Sequence, residues 1–284
     1  MGTSQSYGGP TGRTPLLPPW APDAPPPNGD QEGQPPDGQG AADGMPNPLG
    51  GNAQPAWRGP KDAMRRYANS GNMDQMRGAA RGFVRAQGGA RKAARAALAG
   101  RATAGRLGAA LSATVTMGST GIRKAFGIQY MGQDVYVLLA ELVDAIAPEG
   151  ASNEEAVARA AVTETLKALF KQYEVAEQGL EGLDQLSRES IGEVIEQYVS
   201  TYIYTRLMEV LGSRLENNPN VSVQEVCRIE RDIEGYIRES IKLELSERDI
   251  LRVDWSGQEG QTFVEEIFTE GYELLEKGYK VLET

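Results

Sequence analysis

The sequence contains no histidine and only one cysteine, Cys227, among its 284 residues. The lack of histidine excludes histidine general bases, zinc sites built from histidine and cysteine, and the Glu-x-x-His pairs of di-iron bundles. A single cysteine also excludes CxxC redox pairs and disulfides within the chain. Most familiar catalytic sites are therefore ruled out by composition alone.

Long apolar runs are missing as well. No stretch approaches the roughly 20 apolar residues of a membrane span, and the charged start and apolar core of a secretory signal are absent. We therefore expect a cytoplasmic protein without a membrane span. Cys227 lies in an apolar helical pattern beside Val226 and Ile229, which favours a buried core residue over a reactive thiol.

Phosphate-binding and metal-binding motifs are also absent. Gly100 and Gly105 are spaced like the glycines of a phosphate loop, but Arg106 and Leu107 follow where lysine and a hydroxyl residue are required. No EF-hand pattern occurs. We expect no cofactor and no metal site.

Carboxylates are abundant and could in principle perform acid-base chemistry. Representative pairs are Glu154 with Glu155 and Glu265 with Glu266. They fall on predicted polar helix faces, where solvated charge is the usual explanation. We therefore predict that the protein is not an enzyme and name no catalytic residue.

Composition divides the chain into three segments. Residues 1–60, the tail, contain 14 of the 16 prolines and 12 of the 34 glycines, which predicts disorder. Residues 61–130, the basic arm, contain 13 Lys and Arg against two acidic residues. Residues 131–284, the acidic body, contain 14 basic and 32 acidic residues, and this segment is long enough to form a domain with its own core.

Apolar spacing in the acidic body predicts five helices and an all-α bundle. The first runs from Asp134 to Pro148, and Ser187 begins the third, after a loop marked by Gly179 and Gly182. Capping boxes predict the starts of the other three, at Ser152 with Glu155, Ser222 with Glu225, and Ser256 with Glu259. Residues 250–255 fit a short strand or an extended link.

The basic arm has weaker helical signals. Pro60 suits a helix start and residues 93–98 are rich in alanine, but repeated glycines each cost about 1 kcal/mol inside a helix. We predict a partly helical arm whose order depends on a partner. Its arginines recur at intervals of four to six positions: Arg77, Arg81, Arg85, Arg91, Arg95, Arg101 and Arg106.

Three explanations fit these arginines. A basic stripe can contact nucleic-acid phosphates, although aromatic residues for base stacking are sparse in the arm. It can instead dock on the acidic body or on an acidic partner, because opposite potentials attract. Solvated charge without a partner is the third explanation.

The tail opens with a motif of its own. Removal of Met1 exposes the amine of Gly2, and the first six residues also fit the myristoylation pattern, so a lipid-anchored protein is one alternative. Three large apolar residues then stand in a polyproline frame, which favours a docking motif over a solvated linker. This motif consists of Pro15, Leu16, Leu17, Pro18, Pro19 and Trp20.

These N-terminal residues resemble a known family. Met1-Gly2-Thr3-Ser4, Ser6, Gly9-Pro10 and the motif from Pro15 to Trp20 are similar to the N terminus of the QatB family, the B components of four-protein Qat anti-phage systems. Beyond them the likeness lies in the order of a Pro/Gly linker, a Gly/Arg-rich middle and an acidic helical end.

The resemblance implies a non-enzymatic defence subunit that acts beside an ATPase, a TatD-like nuclease and a QueC-like enzyme. It further implies that the N terminus enters the active site of the QueC-like enzyme as a candidate substrate. Gly2 would offer its amine, Thr3 and Ser4 would be recognised beside it, and Leu16, Leu17 and Trp20 would anchor the tail. We therefore predict an adaptor or scaffold that presents this tail. The alternative is a nucleic-acid-binding sensor that uses the basic arm.

Overall fold

Apolar residues recur every three or four positions through most of the chain, and the resulting structure is helical. The computed structural model describes residues 56–128, 134–216, 218, 221–245, 253–255 and 257–278. These residues contain no β-strand, so the predicted all-α class is confirmed. Residues 1–20, with the docking motif, and residues 250–252 lie outside the described residues.

The basic arm is more completely helical than its glycine content suggests. Its helices are α1 (Arg58–Ser70), α2 (Met73–Ala86), α3 (Ala90–Ala96), α4 (Leu98–Met117) and α5 (Ser119–Phe126). The first begins two residues before Pro60, and Gly71, which adopts the left-handed conformation, caps its C terminus. Tertiary packing supplies the stability that the local propensities lack.

The acidic body contains five long helices where the periodicity predicts them, with shorter helices in two connections. In chain order its elements are α6 (Val135–Ile146), α7 (Asn153–Gln172), α8 (Val175–Gln178), a 3₁₀ helix (Gly179–Gln185), α9 (Arg188–Leu211), α10 (Ser213–Glu216), α11 (Val223–Leu245) and α12 (Gln258–Lys277). The loop predicted from Gly179 and Gly182 is therefore wrong, because this segment is helical. Glycine is needed at 182 for close packing, since a Cβ there would lie 2.2 Å from the carbonyl oxygen of Tyr173.

Two of the predicted capping boxes are present. In the first, the amide of Glu155 donates to Ser152 Oγ at 3.2 Å and the amide of Ser152 donates to Glu155 Oε2 at 2.9 Å. Ser222 and Glu225 make the same pair of contacts at the start of α11. Ser256 lies outside the described residues, and the position that precedes α12 is Gly257.

Helix α4 of the basic arm lies at the centre of the fold. It packs against α7, α9 and α12 of the acidic body, and its residues Ala104, Leu107 and Leu111 are buried in the shared core. Helices α2 and α3 pack on α12, and α1 packs on α2. The described residues all fall in one compact unit, residues 52–284, which is built from both the arm and the body.

Cys227 corrects another sequence-based expectation. It lies in α11 as predicted, but its side chain is exposed. Successive helical residues are 100° apart, so Cys227 lies about 160° around the axis from buried Ile229, on the solvent face.

Candidate interaction surface of the basic arm

The arginines singled out in the sequence lie on three consecutive helices. Arg77, Arg81 and Arg85 are on α2, Arg91 and Arg95 are on α3, and Arg101 and Arg106 are on α4. Their spacing of four residues on α2 places them along one side of that helix. The contacts of each guanidinium decide which arginines are available to a partner.

Two of these arginines cap the C termini of body helices. Arg106 Nη1 donates to the carbonyl oxygen of Ile146 at 2.9 Å, at the end of α6. Arg81 Nη2 donates to the carbonyl oxygen of Lys277 at 3.1 Å, at the end of α12. A cation at this position satisfies a free carbonyl and interacts favourably with the helix dipole.

Three more arginines contact carboxylates. Arg101 Nη1 lies 3.0 Å from Glu265 Oε2, and Arg85 Nε lies 3.9 Å from Glu276 Oε1, so both connect the arm with α12. Arg77 pairs instead with Asp74 on its own helix, at 2.9 Å. Four of the seven arginines thus hold the arm on the acidic body, as the internal docking explanation proposes.

The remaining two, Arg91 and Arg95, differ from the others. Both side chains are exposed on α3, and their guanidinium groups have no ion pair within the part of the chain that the structure describes. They are the arginines most available to an external ligand.

A carboxylate of the acidic body caps the N terminus of α4 in the basic arm. Helix α4 has no side-chain cap of its own, and Glu154 of α7 replaces it by accepting hydrogen bonds from the amides of Ala99 at 2.8 Å and Gly100 at 2.9 Å. Tyr202 donates its hydroxyl to the same carboxylate at 2.7 Å. The carboxylate occupies the position where a phosphate would bind at a helix N terminus.

Glu154 is therefore a structural group and not the solvated charge that the sequence predicted. The sequence offers a signal only once α4 is known to begin at Leu98, since no capping residue precedes it and several amides need an acceptor. Only the tertiary structure identifies the residue that supplies it. Glu155 beside it belongs to the capping box, where the Ser152 hydroxyl lowers the pKa of its carboxyl.

A cluster of tyrosines surrounds this contact. Burial raises the pKa of Tyr198, Tyr202 and Tyr272 above the ordinary value for tyrosine, so their hydroxyl groups stay protonated well above physiological pH. Tyr198 donates to the carbonyl oxygen of Gly100 at 3.0 Å, and the rings of Tyr202 and Phe268 meet edge to face at 5.2 Å. The cluster ties α4, α9 and α12 together.

The remaining predictions concern metal binding, a membrane span and the N-terminal tail. Among the described residues no three histidine, cysteine or acidic side chains converge as metal ligands. None of the described helices has the length and apolar character needed to cross a membrane. Gly2, Thr3, Ser4 and the motif from Pro15 to Trp20 lie outside the described residues.

Comparison with known proteins identifies a family. A family model described as Qat anti-phage system associated protein QatB matches residues 88–275, from the start of α3 through most of α12. No curated protein and no solved structure matches the chain. The matched region covers more than half of the chain and does not overlap the N-terminal residues that carry the sequence resemblance. The chain belongs to the QatB family of Qat anti-phage system associated proteins.

Proposed function

We propose that this protein is a non-enzymatic adaptor of the anti-phage system that presents its N terminus to a QueC-like partner enzyme. Family membership, which makes it a component of a defence system, is the observation that carries this proposal. In the proposed complex Gly2 is the acceptor of a modification, and the motif from Pro15 to Trp20 docks on the partner. The ATPase and the TatD-like nuclease of the same system are further proposed partners.

The contacts of the described residues support an adaptor. Glu154, Tyr198 and Tyr202 meet in one hydrogen-bonded cluster, and all three are used to join helices. A helical unit with one shared core suits a protein that holds a long tail near a partner. The Pro/Gly-rich composition of residues 1–60 is typical of a linker that would let the N terminus reach a partner.

Mass spectrometry of the N-terminal peptide tests the substrate role. The chain is expressed alone and together with its genomic neighbours, and the mass of the peptide that begins at Gly2 is compared. We expect a mass addition at Gly2 only in the presence of the QueC-like enzyme. An unmodified Gly2 in both samples contradicts the substrate role, and an acyl mass without the partner identifies lipidation instead.

Co-purification tests the docking role separately. Replacing Leu16, Leu17 and Trp20 by serine removes the apolar anchors and is expected to abolish capture of the QueC-like enzyme and protection from phage. The control replaces Met45 and Leu49 by serine, which removes apolar residues from the same tail outside the motif. If both variants retain the partner and the protection, the docking role is rejected.

Nucleic-acid binding is the second candidate, and the exposure of Arg91 and Arg95 favours it. Phosphate contacts release counterions, so the affinity for DNA or RNA is expected to fall steeply as salt rises. Titration of the full chain against an oligonucleotide at increasing salt measures this. Binding that is insensitive to salt, or no binding, rejects this candidate.

A further inference from the structure

A cleft of about 830 Å³ opens where α2, α3 and the end of α12 meet. Its volume lies within the range of ligand-binding clefts, roughly 300–1,000 Å³. It is lined by Arg81, Arg85, Gly88, Gly89, Ala90, Arg91, Glu273, Glu276 and Lys277.

Gly88 and Gly89 form one side of the cleft. Gly88 and Gly89 have φ values of 91° and 94°, which other residues rarely adopt, and they turn the chain sharply between α2 and α3. This turn brings Arg85 at the end of α2 and Arg91 at the start of α3 to the same cleft.

The cleft has four cationic side chains and two carboxylates, although the chain as a whole has a net charge of −10. Both carboxylates already have partners within the protein. Glu276 accepts a hydrogen bond from the amide of Ala90 at 3.1 Å, and Glu273 lies 3.4 Å from Lys277 Nζ. The lining is therefore locally positive.

Several of the guanidinium donors are free. Arg85 Nε is 3.9 Å from Glu276, too far for a hydrogen bond, and exposed Arg91 has no ion pair within the described part of the chain. Arg81 adds a third positive charge to the lining, although its Nη2 is already bonded to the carbonyl oxygen of Lys277. A ligand with anionic oxygens would be stabilised here by pairing with the exposed guanidinium groups of Arg85 and Arg91.

We propose that this cleft binds an acidic peptide segment of a partner protein, whose carboxylates pair with Arg85 and Arg91 beside the positive charge of Arg81. The lining favours a peptide over single-stranded nucleic acid, because no aromatic side chain lies in it to stack on a base. This inference goes beyond the adaptor proposal because the cleft uses residues outside the N-terminal motif.

Fluorescence anisotropy with the full chain tests the proposal. The probe is a labelled peptide of alternating glutamate and glycine, compared with the same peptide carrying glutamine for glutamate and with a thymidine oligonucleotide of equal length. We expect the glutamate peptide to bind most tightly and its affinity to fall as salt rises.

Charge-reversal variants localise the binding. R85E/R91E is expected to weaken binding of the glutamate peptide by roughly tenfold or more, since two charged contacts are lost and repulsion is introduced. The control R58E/R65E changes the net charge equally on α1, where the two side chains are 64% and 57% exposed, and is expected to change affinity by no more than about twofold. Should R85E/R91E fail to fold, as judged by thermal unfolding, R85Q/R91Q provides the same test without repulsion.

Each other outcome contradicts the proposal. Equal weakening by the control indicates attraction to the whole arm, equal binding of the glutamine peptide removes the role of the carboxylates, and tighter binding of the oligonucleotide indicates a phosphate ligand. Failure to bind any probe also rejects it. A chain that lacks residues 2–20 is expected to bind the peptide normally, so failure of the adaptor proposal and failure of this one are distinguishable.

Discussion

At the scale of single residues, one carboxylate joins two parts of the sequence with opposite charge. Glu154 is the second residue of α7, yet its main role is at the start of α4, more than 50 positions earlier. It accepts two amides and the Tyr202 hydroxyl, so its negative charge lies against the positive end of a helix dipole.

Replacement of Glu154 by alanine should therefore be costly. It leaves the amides of Ala99 and Gly100 and the Tyr202 hydroxyl without their acceptor, and we expect a loss of about 2–4 kcal/mol in the free energy of unfolding. Urea denaturation measures this value. The control is Glu164→Ala on the same helix, whose exposed pair with Lys167 should contribute less than about 1 kcal/mol. Equal effects of the two substitutions would contradict the capping role.

At the scale of elements, α4 explains why glycine-rich segments can form buried helices. A Cβ at Gly100 would lie 2.6 Å from the ring of Tyr202, and one at Gly108 would lie 2.1 Å from the ring of Trp255. The missing side chains let α4 approach α9 and the link before α12 closely. The propensity cost of these glycines is offset by burial of the aromatic rings against the helix.

Two glycines of α4 provide a matched test of this explanation. Gly105→Ala places a methyl group in open space and should stabilise the protein by about 0.5–1 kcal/mol through helix propensity alone. Gly108→Ala forces the methyl against Trp255, which is 5% exposed, and should destabilise by about 1–3 kcal/mol. Thermal unfolding compares the two. Stabilisation by both substitutions would show that close packing at Gly108 is unimportant.

At the scale of the whole molecule, the arm and the body share one core. Helix α4 is covered by α7, α9 and α12, so the acidic body without the arm exposes the apolar surfaces that Leu107 and Leu111 cover. Charge separates these segments along the sequence, whereas apolar packing and the arginine contacts join them in space.

A fragment comparison tests this shared core. We expect residues 56–284 to unfold in one cooperative transition by near-UV circular dichroism. Residues 131–284 alone should lack this transition and bind a hydrophobic dye, as expanded states with exposed apolar surface do. Cooperative unfolding of the shorter fragment would show that the body has a sufficient core of its own.

The buried tyrosines predict how stability depends on pH. Their pKa values are raised in the folded state, whereas tyrosine in an unfolded chain ionises near pH 10. Above about pH 10 the unfolded state therefore binds fewer protons than the folded state, and stability should fall by up to about 1.4 kcal/mol per pH unit for each tyrosine. Below about pH 10 this contribution is fully present.

Urea denaturation between neutral pH and pH 11 measures the decline. Tyr202→Phe should make it shallower because one ionising group is removed. Tyr136→Phe, at a position that is 75% exposed, should leave it unchanged. A decline that is the same in all three proteins would exclude Tyr202 as a contributor.

Local sequence patterns were sufficient to predict the all-α class, the five long body helices, two capping boxes and, from the first twenty residues, the resemblance to the family. These features depend on local spacing, which helix geometry converts directly into structure. The use of Glu154 as a cap and the burial of α4 between body helices were decided only by the tertiary structure. The tertiary structure also brings Arg85, Arg91 and Lys277 together at one cleft. Each of these contacts joins residues that are far apart in the chain. A local sequence pattern does not indicate which distant acceptor or surface will be closest once the core has formed.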